Sequence, residues 1–208
     1  MNQGSTLFTI HPAAKIGYVH LRVSDIQQSL QFYHSILGFK IVRRTSSSEC
    51  AFLSASAGDS LYLIALSKVE RDQNSKNDPI VASLQKERRK NVAGLYHIAI
   101  LLPQRKFLAN ILRHLQEHRD RVYFDGFADH AVSESIYLRD PDYNGVEIYR
   151  DRPRSEWRWK GHEVRMVTEP LNIQDLLSDS TNDEQWKEFP SETSIGHVHL
   201  HVSNLATA

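Results

Sequence analysis

Apolar and polar residues alternate along Ile16-Gly17-Tyr18-Val19-His20-Leu21-Arg22-Val23, a period of two that predicts a β-strand. Val19, Leu21 and Val23 fall on one face, and Tyr18, His20 and Arg22 on the other. The same run recurs as Gly94-Leu95-Tyr96-His97-Ile98-Ala99-Ile100 and as Ile195-Gly196-His197-Val198-His199-Leu200-His201-Val202. The three copies align on His20, His97 and His199. After the first copy the period lengthens. Ile26, Leu30, Tyr33 and Leu37 make an apolar stripe at helical spacing, with Asp25 as N-cap, Gln28 three residues on and Gly38 as the stop. Strand-like runs follow at Phe39–Arg44, Ala51–Ser54 and Leu61–Leu66. The second copy repeats this order. Pro103 opens a helix striped by Leu108, Ile111, Leu112 and Leu115, then come strand-like runs at Val122–Phe124, Ser133–Arg139 and Val146–Tyr149. A βαβββ unit is thus present twice, and a repeated unit is a stronger fold signal than any single motif.

The spacing of these units divides the chain. Residues 1–13 are expected to be a mobile arm. Residues 14–152 form an N-terminal domain of two modules, about 14–67 and 93–152, joined by a polar stretch from Ser67 to Val92. Its run Lys86-Glu87-Arg88-Arg89-Lys90 reads as a solvated face. Residues 153–194 form a linker in which Asn172–Leu177 makes one helical turn, Ser178–Glu184 is a polar loop, and Trp157, Trp159 and Trp186 pin the segment to the domain. Residues 195–208 are read as the first strand of a second domain that is cut short. A lone strand cannot bury its apolar face, so self-association through residues 195–205 is expected.

Composition narrows the function classes. Of 208 residues, 40% are hydrophobic and 24% charged, and 25 Lys and Arg balance 25 Asp and Glu, so neither a nucleic-acid nor a membrane partner is indicated. No apolar run is long enough to span a bilayer, and the N-terminus lacks a secretory pattern. With Cys50 as the single cysteine, a cytoplasmic location and an inert thiol are expected. Phosphate-cradling glycine loops and nucleophile elbows are absent. Histidine, at 11 residues, is the chemistry to follow.

The repeated unit, with Phe32-Tyr33 and Leu37-Gly38 in its first helix, resembles the vicinal-oxygen-chelate superfamily, which includes glyoxalase I, bleomycin- and fosfomycin-resistance proteins and extradiol dioxygenases. Three longer stretches sharpen this: Gly94 to Pro103, Asp129-His130-Ala131-Val132-Ser133-Glu134-Ser135-Ile136-Tyr137-Leu138-Arg139-Asp140-Pro141, and Asn144-Gly145-Val146-Glu147-Ile148-Tyr149. With Asp151-Arg152-Pro153 and the third strand copy, they look like the catechol-2,3-dioxygenase-like proteins of Gram-positive bacteria. The resemblance covers nearly all of residues 14–208. It departs at Ala131 and Tyr143, turn-like positions where relatives commonly carry Gly. It implies an α+β fold in which paired βαβββ modules form a curved, cleft-enclosing mixed sheet with helices outside. It also implies one divalent metal held by first-strand histidines and a last-strand Glu. In extradiol dioxygenases these are two His and one carboxylate around Fe(II), leaving positions open for a small aromatic diol and dioxygen.

Carried over residue by residue, the first-strand ligand position falls on Tyr18, Leu95 and His197, and the carboxylate on Glu147. The first two modules therefore keep a carboxylate and lose both imidazoles, while His197 is a ligand whose partners are expected beyond Ala208. The chain then reads as the N-terminal portion of an Fe(II)-dependent extradiol dioxygenase, its first module pair structural. Its catalytic residues would lie outside the sequence, with no metal bound by this chain. Two alternatives are kept. One is a metal-free small-molecule-binding module whose cleft is lined by Tyr18, His20, Arg22, His97 and Glu147. The other is a glyoxalase-like metalloenzyme using His20, His97 and Glu147, two residues past the carried-over positions on the same strand faces. Hydrogen-bonded histidines in a metal-free cleft are the preferred account of that trio, and a polar strand role that of His199 and His201. His130 and Tyr137 are read as structural. His114 and His118, four apart on a helix, are read as a solvated helix edge rather than a chelating pair.

Overall fold

A computed structural model describes residues 9–11, 13–56, 58, 61–69, 93–180 and 185–208. The expectations for the basic run at 86–90, and for most of the N-terminal arm and of the stretch between the modules, lie outside the described residues.

Both βαβββ units are present. In the first, β1 (Val19–Val23) leads into α1 (Ile26–Leu30), which widens into a π-helical segment (Gln31–Ile36). Then come β2 (Lys40–Arg44), β3 (Cys50–Ser54) and β4 (Ile64–Lys68). Asp25 caps α1 as its residue type predicts, its carboxylate accepting from the amides of Gln27 and Gln28. Gly38 ends the helix at a φ of +95° that only glycine adopts readily. In the second unit, β5 (Gly94–Leu102) precedes α2 (Arg105–Glu117), β6 (Tyr123–Asp129), β7 (Ser133–Arg139) and β8 (Gly145–Asp151). The helix starts two residues after Pro103 because Leu102 is still paired to Arg150 in the sheet and Gln104 is still extended.

The two sheets share one topology. The strand order is β1-β4-β3-β2 in the first and β5-β8-β7-β6 in the second, the first and last strands of each unit running parallel and the rest antiparallel. The apolar faces meet the helices in a core that joins both units, from Tyr33, Phe39, Leu53 and Ile64 to Ile100, Leu108, Ile111 and Ile148. Burying such side chains stabilises the fold by about 1.5–3 kcal/mol each. Polar contacts also cross between units. The Tyr33 hydroxyl donates to Asp140, and the Ser24 amide to Asp142.

The connector is anchored rather than loose. After a 3-10 turn (Arg154–Glu156) come β9 (Trp159–Lys160), β10 (Glu163–Val164) and α3 (Ile173–Ser178), the last capped by Asn172. Trp186 donates to the Leu37 carbonyl and stacks edge-on against Phe189, and Trp157 donates to the Arg152 carbonyl. Trp159 stays half-exposed. Glu134, almost wholly buried, takes Arg105, Arg150 and Arg152 as partners, and Arg105 reaches on to Asp175 and Asp179 around α3. No helix among the described residues is long and apolar enough to cross a membrane.

The third copy, β11 (Ser194–His201), is a fifth strand of the second sheet, antiparallel to β5. Its start also bridges to Ile16, ahead of β1, so the strand touches the edges of both units.

Candidate metal centre

The position of β11 decides what the histidines can do. Its register puts His197 opposite Ala99, Ala99 lies opposite Glu147 on β8, and Glu147 lies opposite Tyr137 on β7. Paired residues point to the same face, so Tyr137, Glu147, Ala99 and His197 form one row across four strands. His97, two residues before Ala99, shares that face. Ala99 is the smallest member of the row, and over it the longer side chains converge. Glu147 Oε2 lies 2.9 Å from His97 Nε2 and 3.0 Å from His197 Nε2, and the two nitrogens are 3.2 Å apart.

Two glycines make this approach possible. A Cβ at Gly145 would meet the Tyr96 carbonyl oxygen at 2.1 Å, and one at Gly196 would meet the Tyr149 hydroxyl at 1.9 Å. At Gly145 the obstacle is backbone and only hydrogen fits, so β8 can close on His97. At Gly196 a side chain would have to displace the Tyr149 ring, so glycine lets β11 settle beside it where the strand is irregular.

The electrostatics are those of a ligand set. Glu147 is 2% exposed. Its Oε1 accepts from the Ser135 hydroxyl at 2.6 Å and the Tyr137 hydroxyl at 3.1 Å, which fixes the carboxylate and turns Oε2 toward the imidazoles. Neither ring points an N–H along the line to Oε2, so this buried oxygen has no hydrogen-bond partner despite two short contacts. Burial would raise the Glu147 pKa, but His197, His97 and Ser135 outweigh it and hold the carboxyl well below the usual range. The three separations fit a cation bound on one face. Ligand atoms at adjacent octahedral positions, with bonds of about 2.1 Å, are about 3.0 Å apart. Two imidazoles and a carboxylate are also the donors that iron, zinc and manganese accept.

A cavity of about 740 Å³ opens over this cluster, walled by Tyr96, His130, Tyr137 and His199 and by Met166 to Thr168 of the connector. Small-molecule sites usually span about 300–1,000 Å³. On its wall, His130 Nδ1 lies 2.7 Å from the Val167 carbonyl, which can only accept, so Nδ1 carries the hydrogen. In the neutral ring Nε2 then offers a lone pair to the Tyr137 hydroxyl 2.9 Å away. Tyr137 thus has one proton and two acceptors, His130 and Glu147. Burial and the Glu147 charge raise its pKa, so it stays protonated near neutral pH.

The expected site residues divide between the two sheets. His97 and Glu147 meet, and with them His197, whose partners had been expected past Ala208. Leu95, the carried-over ligand position on β5, faces Leu200 at the sheet edge, and the imidazole in reach of Glu147 comes from His97 two residues on. Tyr18, His20 and Arg22 belong to the first sheet. Tyr18 packs on Tyr62, His20 bonds to the Ser67 hydroxyl, and Arg22 is exposed. Among the described residues, ligand-bearing side chains gather in threes at two places, His97–Glu147–His197 and His114–Glu117–His118, and His20 belongs to neither. His199 and His201 sit against Tyr96, the latter stacked at 4.4 Å. Ser135, Tyr137 and His130 were not read as site residues. For Ser135 and Tyr137 the available signal was their period-two spacing on β7, which puts both on one face toward Glu147; His130, in the turn before β7, carried no such signal.

Comparison with known proteins agrees with this architecture. The family model for the glyoxalase/bleomycin resistance protein/dioxygenase superfamily matches residues 15–148. The chain is 40% identical over 202 residues to a catechol-2,3-dioxygenase of Bacillus subtilis, covering 96% of this chain and 64% of that protein, so it spans under two thirds of that relative's length. It is 29% identical over 154 residues to a lactoylglutathione lyase of Pseudomonas putida, covering 64% of this chain and 83% of that one. A solved glyoxalase/dioxygenase structure from Nostoc punctiforme superposes with a TM-score of 0.50 at 20% identity, over 72% of this chain and all of that one.

Proposed function

Because this chain belongs to the glyoxalase/bleomycin resistance protein/dioxygenase superfamily, we propose that it carries the Fe(II) centre of an extradiol dioxygenase that cleaves catechol-type rings, with His97, Glu147 and His197 as the ligands. The observation that carries this reading is the convergence of two Nε2 atoms and one carboxylate oxygen within 3.2 Å beneath the cavity. The likeness to a catechol-2,3-dioxygenase supports the substrate class. An iron bound there would supply the Lewis acidity and redox electrons of ring cleavage with dioxygen. The chain supplies the rest. Ser135 and Tyr137 hold Glu147 so that one oxygen faces the metal position. Tyr137 and His130 form a proton-holding pair on the cavity wall. When His130 takes a proton from an entering diol, its Nε2 donates to Tyr137, and the tyrosine proton turns to Glu147. Tyr96 and His199 supply aromatic wall to the cavity an aromatic substrate would enter. On this reading the second module and β11 form the centre, the first module is structural, and the protein works in the cytoplasm. Self-association through residues 195–205 stays part of it. Leu200, Val202 and Leu205 are exposed there, and a monodisperse monomer on sedimentation would remove that element.

The likeness to a lactoylglutathione lyase favours one other reading, an isomerase using the same three ligands. The two separate in one assay. The anaerobically Fe(II)-loaded chain is mixed with catechol in aerated buffer, and in parallel with the hemithioacetal of methylglyoxal and glutathione. The proposal expects a coloured ring-opened product from the first, with turnover about 100-fold lower in Tyr137→Phe. Consumption of the hemithioacetal alone would support the isomerase, and catechol binding that persists in EDTA with no product would point to a metal-free binding module.

A further inference from the structure

The second histidine cluster lies at the end of α2, where that helix meets the end of the first module's helix. His114, Glu117 and His118 each offer a ligand atom, and these lie within 4.8 Å of one another. The spacing follows from the helix, where residues three and four apart are neighbours. A helical His pair is common on solvated surfaces, and spacing alone would mean little. What sets this pair apart is how the far side of each ring is held. His114 Nε2 is 2.9 Å from the Ile36 carbonyl, at the end of the first module's helix. His118 Nδ1 is 2.9 Å from the His114 carbonyl. A carbonyl can only accept, so each of these nitrogens carries the hydrogen. In the neutral rings, His114 Nδ1 and His118 Nε2 are therefore left with the lone pairs. A ring fixed by an N–H to carbonyl bond on one side, with a lone pair on the other, is the arrangement metal-bound histidines adopt. Both rings are partly buried and packed at a centroid distance of 4.4 Å, so little rotamer freedom remains to be lost on binding.

We propose that His114, Glu117 and His118 form a second metal site, specific for a borderline divalent ion of the zinc, nickel or copper class. Two imidazoles and one carboxylate select this class over calcium or magnesium, which prefer all-oxygen shells. Bonds of about 2.0–2.1 Å need ligand atoms closer than 4.8 Å. Glu117 is exposed and free to swing inward over the rings. Because the Ile36 carbonyl orients His114, the ion would also tie α2 more firmly to the first module.

The test is a Ni(II) titration of the full chain, followed by calorimetry and by paramagnetic broadening of the histidine ring proton signals. The expected result is selective broadening of His114 and His118 at micromolar Ni(II), as a binding class separate from His97 and His197. His118→Ala should weaken that class by roughly tenfold or more and leave the other unchanged. Glu117→Ala, at an exposed position that folding tolerates, should weaken it as well. Binding only at millimolar Ni(II), or a titration identical in the wild type and both variants, would overturn the proposal. These outcomes are independent of the iron centre, since the two clusters share no residue.

Discussion

Ala131 and Tyr143 hold φ angles of 65° and 62°, in the left-handed region. A side chain there costs about 1–2 kcal/mol, while glycine costs about 0.4–1 kcal/mol in lost chain entropy on folding. Ala131→Gly and Tyr143→Gly should each raise stability by roughly 0.5–1 kcal/mol, seen as a higher midpoint in thermal or denaturant unfolding; a lower midpoint would show that their side chains contribute more than the strain removes. Both positions were legible in the sequence as turns where the family pattern carries glycine. Asp25 as a helix cap was legible too, because capping chemistry is local. The pairing of His97 with Glu147 was only half legible. Alternation put each on the right face, but which strands are neighbours, and in which register, depends on contacts far apart in sequence.

The element that turns separate residues into a site is the row across β7, β8, β5 and β11. Ala99 is its gap, wholly buried beneath the two imidazoles and the carboxylate. Ala99→Leu should therefore keep the sheets, at an overpacking cost of about 1–3 kcal/mol, but drive Glu147 and His197 apart and abolish tight metal binding. Ala99→Gly should leave metal binding near the wild-type level. Circular dichroism together with metal retention after desalting checks both. Wild-type retention by a folded Ala99→Leu protein would mean that convergence over this row is not what binds metal. Period-two patterning identified β11 as a copy of β1 and β5, and the same patterning suggested a lone strand awaiting a domain. What patterning could not convey is that β11 has a free edge of β5 to pair with, and that Gly196 clears the way past Tyr149.

At the scale of the molecule, the two units repeat one topology and divide the labour. Among the described residues, Tyr18, His20 and Arg22 of the first have no carboxylate ion pair, and its helix carries Tyr33 to Asp140 and the Ile36 carbonyl to His114 of the second. The second brings His97, Glu147, Tyr137 and His130 together, and β11 and the connector complete the proposed ligand set and the cavity. The repeat, the α+β class and the family were readable from sequence, since they rest on patterns that recur along the chain. The division between units was not, because both copies carry a histidine at the aligned position and only the sheet partners separate His20 from His97. The account therefore rests on one claim, that His97, Glu147 and His197 together hold iron. Its most direct test is the iron content of the wild-type chain and of His197→Ala after anaerobic Fe(II) loading and desalting. The account predicts about one iron per wild-type chain that the variant fails to retain. Equal iron in the two proteins, or none in the wild type, would contradict it.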